Sequence, residues 1–99
     1  MRVISRRRLL EFSKKNADAY TPLDNWYKAA LGAEWKSLND VRKVFPSADI
    51  VGNFTIFNIK GNNYRLIVSI DYERQLLYVK YILTHADYDK DKWKNDPYF

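Results

Sequence analysis

The single histidine of the chain, His85, lies in a segment whose residue types could transfer protons. It follows the apolar stretch from Leu76 to Leu83 and precedes Tyr88 by three residues. Because the unperturbed pKa of imidazole is about 6.5, this side chain gains or loses a proton near neutral pH. If Thr84 caps a helical turn, His85 and Tyr88 lie on one side of it. We assign the two jointly to proton transfer and substrate alignment. Structural roles for either, or stacking of Tyr88 on a base, are the alternatives.

Arg65 is the candidate for holding a phosphate. Alternation along a predicted strand places it on one face with Ile67 and Ser69. A guanidinium is always charged and binds two oxygens at once, which suits a phosphorane better than an ammonium does. The alternative role is an ordinary ion pair on the surface of a strand.

Three further polar residues are candidates for contacts with RNA. Lys36 follows Trp35, and Lys60 flanks a turn at Gly61. Either lysine could touch a phosphate, which adds affinity and salt dependence but no sequence information. Asn62 could read a base edge, although an Asn after Gly in a tight turn is usually there for its backbone conformation. Simple solvation is the plainer interpretation of both lysines.

Together these residue types could cleave RNA without a metal ion. RNA carries its own nucleophile, since a ribose 2′-hydroxyl can attack the adjacent phosphate once the two are aligned. The protein must then accept the hydroxyl proton, stabilise the phosphorane charge and protonate the leaving 5′-oxygen. The chain has no pair of histidines and no carboxylate spacing typical of a magnesium site. We therefore predict no cofactor and no metal.

Composition limits the compartment and the kind of partner. A chain of 99 residues, 46% of them hydrophobic, predicts one domain that folds without disulfides. It contains no cysteine, which favours the reducing cytoplasm. No apolar run approaches the ~20 residues of a membrane span, and the N-terminus does not resemble a signal peptide. The net charge of +5 indicates a polyanionic partner. The sixteen aromatics, eight of them Tyr, suit stacking on bases, although the plainer interpretation places most of them in the core.

Apolar spacing predicts three helices in the first half of the chain. They run from Arg6 to about Lys15 with Ser5 as N-cap, from between Asp18 and Thr21 to Leu31, and from a capping box at Ser37–Asp40 to Pro46. The positions expected to face the core are Leu9, Leu10, Phe12, Leu23, Trp26, Tyr27, Ala30, Leu31, Leu38, Val41, Val44 and Phe45.

The apolar period changes to two in the second half. It predicts strands over residues 49–51, 54–59, 63–71 and 75–83, after a short edge strand within residues 1–5. Loops this short force antiparallel pairing of neighbours. The predicted fold class is α+β, with three N-terminal helices packed on one antiparallel sheet and a short C-terminal helix beginning near His85.

Several short segments, in a fixed order, carry a family resemblance. They are Ile4-Ser5-Arg6, Trp35-Lys36-Ser37, Phe45-Pro46-Ser47-Ala48-Asp49, Phe57-Asn58-Ile59, Gly61-Asn62, Tyr64-Arg65-Leu66-Ile67 and Thr84-His85-x-x-Tyr88-Asp89. Together they resemble the HigB-type toxins of bacterial toxin–antitoxin pairs, within the wider RelE-like group. The resemblance covers residues 1 to about 90. The tail from Lys90 to Phe99 lies outside it, and the sequence leaves open whether its aromatics dock on the body.

The resemblance implies a single RelE-like domain over residues 1–99 that cuts messenger RNA, in many relatives only on the translating ribosome. It places the His and Tyr that match His85 and Tyr88 in the expected active surface, and makes Asp89 a cap or an orienter of a neighbour. It also implies a helix-turn-helix antitoxin, HigA-like, from an adjacent gene. Two alternatives remain open: a non-catalytic RNA or ribosome binder, and a basic module that docks an acidic protein.

Overall fold

Five strands form one sheet, with helices packed against one of its faces, in the computed structural model, which describes all residues 1–99. The strands are β1 (Arg2–Ile4), β2 (Asp49–Val51), β3 (Phe54–Ile59), β4 (Tyr64–Asp71) and β5 (Leu76–Thr84). The helices are α1 (Arg6–Lys15), α2 (Tyr20–Gly32), α3 (Leu38–Val44) and α4 (His85–Asp89), with 3-10 turns at Ala17–Ala19 and Lys92–Asn95. The predicted α+β class is confirmed. No helix is long and apolar enough to cross a membrane.

The strand order in the sheet is β1-β5-β4-β3-β2. Strands β2 to β5 form an antiparallel meander, as their short connections predict. The predicted edge strand β1 is present, but it pairs parallel to β5, with Arg2 opposite Leu76 and Ile4 opposite Tyr78. The sheet is therefore mixed. The long helical connection after β1 does not impose the antiparallel direction that a tight turn imposes.

Both faces of the sheet are covered by apolar side chains. Leu66 on β4 packs into the larger cluster with the helices, which includes Leu23 and Trp26. Its neighbour Ile67 faces the opposite side and packs with Trp93 from the C-terminal tail. Leu66 and Ile67 are both fully buried. The tail thus covers the face that the helices leave open, and it lies on the same face as the side chain of Arg65.

The helices bury fewer of their apolar side chains than the sequence predicted. Leu9, Leu23, Trp26, Ala30 and Val41 are buried as predicted. The prediction is wrong for three positions, which are exposed large hydrophobics: Leu10, Leu31 and Val44. The last two lie at or next to the C-terminal end of their helices.

The helix starts differ in detail from the predicted caps. Ser5 precedes α1, but its backbone is left-handed (φ 75°) and its side chain makes no capping hydrogen bond. Ser37 precedes α3 and likewise makes none. Instead, the carboxylate of Asp40 accepts a hydrogen bond from the Lys36 amide at 3.0 Å. Of the two hydrogen bonds of the predicted capping box, the one accepted by Asp40 is present but comes from the amide of Lys36, one residue before Ser37. The one accepted by the Ser37 side chain is absent.

Candidate active site

One end of the sheet brings the predicted catalytic residues together. The β4–β5 register places Tyr64 opposite Thr84 and Arg65 opposite Leu83. Helix α4 begins directly after this pair, and the amide of its first residue, His85, donates to the Asn63 carbonyl at 3.1 Å. The start of α4 is thereby fixed against the turn that leads into β4.

Thr84 is the N-cap that the sequence predicted for α4. Its backbone is extended, and its Oγ1 accepts a hydrogen bond from the Asp87 amide at 3.2 Å. A threonine in this position satisfies one of the amides that a helix start leaves unpaired. Since His85 and Tyr88 are three residues apart on the resulting helix, both are carried on the same side of it.

Arg65 is half-buried and forms no ion pair with any carboxylate. Its Nη1 donates to the Asn62 carbonyl at 3.0 Å, and its Cζ lies 5.4 Å from the centre of the Tyr88 ring. Its Nε and Nη2 groups bond to no residue of the chain. The guanidinium is therefore oriented by neutral groups and keeps donors free for an anion, unlike the surface ion pair considered as its alternative role.

The imidazole of His85 is held from one side by a carboxylate. Its Nδ1 lies 3.0 Å from Oδ2 of Asp89, one helical turn further on, and more than half of the His85 side chain is exposed. In the tautomer that carries its proton on Nδ1, this nitrogen donates to Asp89 and Nε2 is left as an acceptor. Nε2 has no partner in the chain, so it is available to a substrate. Asp89 thus orients its neighbour.

The ring of Tyr88 is wedged between charged and aromatic neighbours. It stacks on Trp93, with ring centres 5.2 Å apart and planes 15° apart. Burial raises the pKa of the Tyr88 hydroxyl, and the cations of Arg65 and Lys94 oppose that increase in the pKa. The phenol is therefore protonated at neutral pH and can act as a donor. Its hydroxyl makes no hydrogen bond to another residue.

The match to known proteins covers this end of the sheet. The sequence model of one family, described as HigB_toxin, RelE-like toxic component of a toxin-antitoxin system, matches residues 19–91. The chain belongs to the HigB toxin family. It is 27% identical over 93 residues to an mRNA interferase HigB of Escherichia coli O6:H1, which covers 91% of this chain and 90% of that relative. An mRNA interferase HigB of Shigella flexneri is 26% identical over 92 residues, 90% of this chain and 88% of the relative. Membership of this family implies an antitoxin partner.

Two of the three residues predicted to contact RNA, Lys60 and Asn62, lie beside the cluster of Arg65, His85 and Tyr88. Lys60 is paired with Asp18, Nζ to Oδ2 at 2.7 Å, and Asp18 also accepts from the Tyr64 hydroxyl at 2.6 Å. These two bonds lower the pKa of Asp18. Asn62 is not left-handed; the positive φ values of this turn belong to Lys60 and Gly61. Its structural contribution is the carbonyl that receives Arg65.

Lys36 is not brought to the cluster. It lines an open cavity with Glu34, Glu73 and Gln75, and the neighbouring Trp35 carbonyl accepts from Gln75 Nε2 at 2.6 Å. Gln75 directly precedes β5, whereas His85 directly follows it. Nine residues of strand separate them, roughly 30 Å at about 3.3 Å a residue. Lys36 is therefore at the opposite end of the sheet from the candidate active site.

Sequence reasoning missed Trp93, which contacts the cluster from the C-terminal tail. Trp93 is 4% exposed, and its Nε1 donates to the Tyr88 carbonyl at 3.1 Å. The ring of Phe99 packs edge-on against it, with centres 5.4 Å apart. The available signal was the presence of three aromatics within the last ten residues, a density that favours docking over a free tail.

The tail is also anchored by a nearly buried carboxylate, that of Asp96. It accepts hydrogen bonds from the Tyr81 hydroxyl at 2.7 Å and the Tyr98 amide at 2.8 Å, and lies 3.3 Å from Lys80 Nζ. The Tyr81 hydroxyl, followed by the Tyr98 amide and Lys80, holds the pKa of Asp96 below its usual value. The same contact raises the pKa of Tyr81. The tail is thus fixed at its middle by polar groups and at its two ends by aromatic rings.

Proposed function

We propose that this toxin is a metal-independent endoribonuclease that cleaves messenger RNA on the translating ribosome. The observation that carries the proposal is the convergence of Arg65, His85 and Tyr88, each with polar atoms that have no partner in the chain. The relatives named mRNA interferases support RNA as the substrate. No three His, Cys, Asp or Glu side chains lie close enough together to hold a metal ion.

In the proposed reaction the 2′-hydroxyl of the substrate attacks the phosphate attached to its own ribose. Nε2 of His85 accepts the hydroxyl proton as the O2′–P bond forms, and Asp89 stabilises the imidazolium that results. Arg65 binds the non-bridging oxygens, whose negative charge grows in the phosphorane. The P–O5′ bond then breaks. The products are a 2′,3′-cyclic phosphate and a 5′-hydroxyl.

Tyr88 is the proposed donor of the proton that the leaving 5′-oxygen requires. The ordinary pKa of a phenol is about 10 and burial raises that of Tyr88, so its hydroxyl carries a proton at neutral pH. Donation leaves a phenolate, and the Arg65 guanidinium beside the ring stabilises that negative charge. Water returns the proton to Tyr88, and His85 releases its proton to solvent, so both residues are restored after each cut.

The end of the sheet that carries Arg65, His85 and Tyr88 is open and offers few side chains to bind a long RNA strand. Lys60 is shared with Asp18 in an exposed ion pair, and Lys36 lies at the far end. We propose that the ribosome supplies the missing alignment of the messenger RNA, since RNA that the ribosome already holds in place does not have to be oriented by binding to the toxin. Lys60, Asn62 and, at a distance from the cut, Lys36 add contacts to the RNA. The net charge of +5 draws the single domain, residues 1–99, to this polyanion in the cytoplasm.

The test is cleavage of a reporter messenger RNA in a purified translation reaction, with the end groups of the fragments mapped. We expect fragments that end in a 2′,3′-cyclic phosphate, or its opened product, and begin with a 5′-hydroxyl. A 5′-phosphate would show that an activated water was the nucleophile and would overturn the mechanism. Salt-sensitive binding without cleavage would instead establish the non-catalytic RNA binder.

The antitoxin partner is proposed to be a HigA-like helix-turn-helix protein encoded beside this chain. Co-expression should give a complex that copurifies and should abolish growth inhibition by the toxin. Growth that is unaffected by the chain alone, together with no binding by its neighbour, would contradict the proposal.

A further inference from the structure

Trp93 lies outside the stretch that matches the toxin family, which ends at residue 91, yet it contacts Tyr88 at two separate points. The indole stacks on the phenol ring, and its Nε1 donates to the main-chain carbonyl of the same residue. One contact fixes the side chain of Tyr88, and the other fixes the backbone that carries it.

We propose that Trp93 is a positioning residue for RNA cleavage, which acts by holding the Tyr88 hydroxyl in place beside Arg65. The inference rests on the proposed function and extends it to the C-terminal tail. Trp93 itself touches none of the reacting atoms in this arrangement; its effect on the reaction passes through Tyr88.

The first step of the argument is that Tyr88 needs external support. Helix α4 has five residues, too few to be stable by itself, and it buries none of its side chains fully. Its N-terminal end is tied to the turn before β4 by the His85 amide. Its C-terminal end, where Tyr88 lies, is tied by the indole of Trp93.

The second step is that Trp93 is rigid enough to give that support. It is 4% exposed and packs with Phe54, Ile56 and Ile67 on the central strands of the sheet. Phe99 closes over its edge. The buried Trp93 side chain therefore fixes the Tyr88 ring relative to the sheet.

The third step concerns the size of the effect. Proton donation requires the hydroxyl to lie within hydrogen-bond reach of the leaving oxygen, and a displacement of about 1 Å can cost about 100-fold in rate. Trp93→Ala removes both contacts, so we expect kcat to fall about 10- to 100-fold with little change in KM. Trp93→Phe keeps one aromatic ring to pack against Tyr88 but loses the N–H group and part of the ring area, so it should recover part of that loss.

A double-mutant cycle with Tyr88→Phe tests whether the effect passes through the hydroxyl. If it does, Trp93→Ala should cost about tenfold or more when Tyr88 is present and less than about threefold in the Tyr88→Phe background. Asp96→Asn is the matched control, because it weakens the same tail away from Tyr88 and should leave kcat within about threefold. Equal losses in both backgrounds, or an equal loss from Asp96→Asn, would overturn the proposal.

A second measurement needs no RNA and so separates this inference from the proposed function. In wild type, burial raises the pKa of the Tyr88 phenol. An NMR titration of Trp93→Ala should show that pKa lowered towards the ordinary value of about 10, with Trp93→Phe in between. An unchanged Tyr88 titration in Trp93→Ala would show that Trp93 does not set the environment of Tyr88. If the titration shifts as expected but wild type cuts no RNA, the proposed function fails, and the positioning role in cleavage fails with it.

Discussion

Alanine substitutions at two glycines with the same backbone conformation test how firmly the C-terminal tail is held. Gly52 and Gly61 both lie in turns with left-handed φ, +60° and +62°. A Cβ built on Gly52 would lie 2.6 Å from Cδ2 of Phe99 and 2.7 Å from its carbonyl oxygen, whereas nothing lies within 4 Å of one built on Gly61. Replacing each by alanine therefore imposes the same backbone strain, and only Gly52→Ala also displaces the tail.

The shared cost is that of an alanine in the left-handed region, about 1 kcal/mol. Gly52→Ala must in addition move Phe99. The hydrogen bond from the Asn53 amide to the Phe99 carbonyl, 2.9 Å long, contributes about 1 kcal/mol. The partly buried Phe99 ring contributes about another 1 kcal/mol from apolar area. We expect Gly52→Ala to lower the free energy of unfolding by about 2 kcal/mol more than Gly61→Ala.

Urea denaturation of the two variants provides this difference, and limited proteolysis reports whether residues beyond 90 have come loose. Wild type and Gly61→Ala should resist cleavage in the tail, and Gly52→Ala should be cut there first. Unfolding free energies that agree within about 0.5 kcal/mol, with equal protection of the tail, would show that Phe99 is not docked against Gly52.

Substitutions at four residues test the remaining assignments. Arg65→Ala should abolish toxicity in a folded protein, slowing cleavage about 10²–10³-fold, with Arg65→Lys rescuing only part; full activity of the alanine variant would contradict the phosphate role. His85→Gln and Tyr88→Phe should each slow cleavage roughly 10²-fold with little change in Tm. The loss of rate in the double variant should be much smaller than the product of the two single losses. Normal cleavage with a Tm several degrees lower would show that the pair has a structural role. Because its folded pKa is lowered, Asp96 stabilises the protein fully above its unfolded pKa of about 3.9 and loses this contribution as pH falls through the folded value. Asp96→Asn should therefore flatten the acid limb of the unfolding free energy, and an unchanged limb would disprove the link.

Local patterns predicted the elements because periodicity and turn residues act over a few positions. The bounds of α1 and of strands β2 to β5 agree with the sequence within about one residue. The hairpin between β4 and β5 then makes the proximity of Arg65 to His85 a consequence of one short turn. This is why the proximity of the candidate catalytic residues could be predicted from the sequence.

Features that depend on distant parts of the chain were not predictable in the same way. The apolar spacing of Val44 indicates a buried position, yet its side chain is exposed. Nothing near Lys36 indicates that Trp35 would dock beside Gln75, away from the active end. Trp93 and Asp96 acquire their roles only from the sheet face on which the tail happens to settle. Each of these outcomes is set by packing between segments far apart in sequence.

The parallel pairing of β1 with β5 sets an order in which the chain can fold. The hairpins of β3, β4 and β5 close over four-residue turns, so they cost little loop entropy and form first. Arg2 finds its partner, Leu76, only after all the segments between them are available. The same late strand, β5, delivers His85 and the helix that carries Tyr88. A nascent chain that lacks β5 therefore has no partner strand for β1 and lacks the helix that carries the proposed catalytic residues His85 and Tyr88, so the proposed site can form only after β5 has been made.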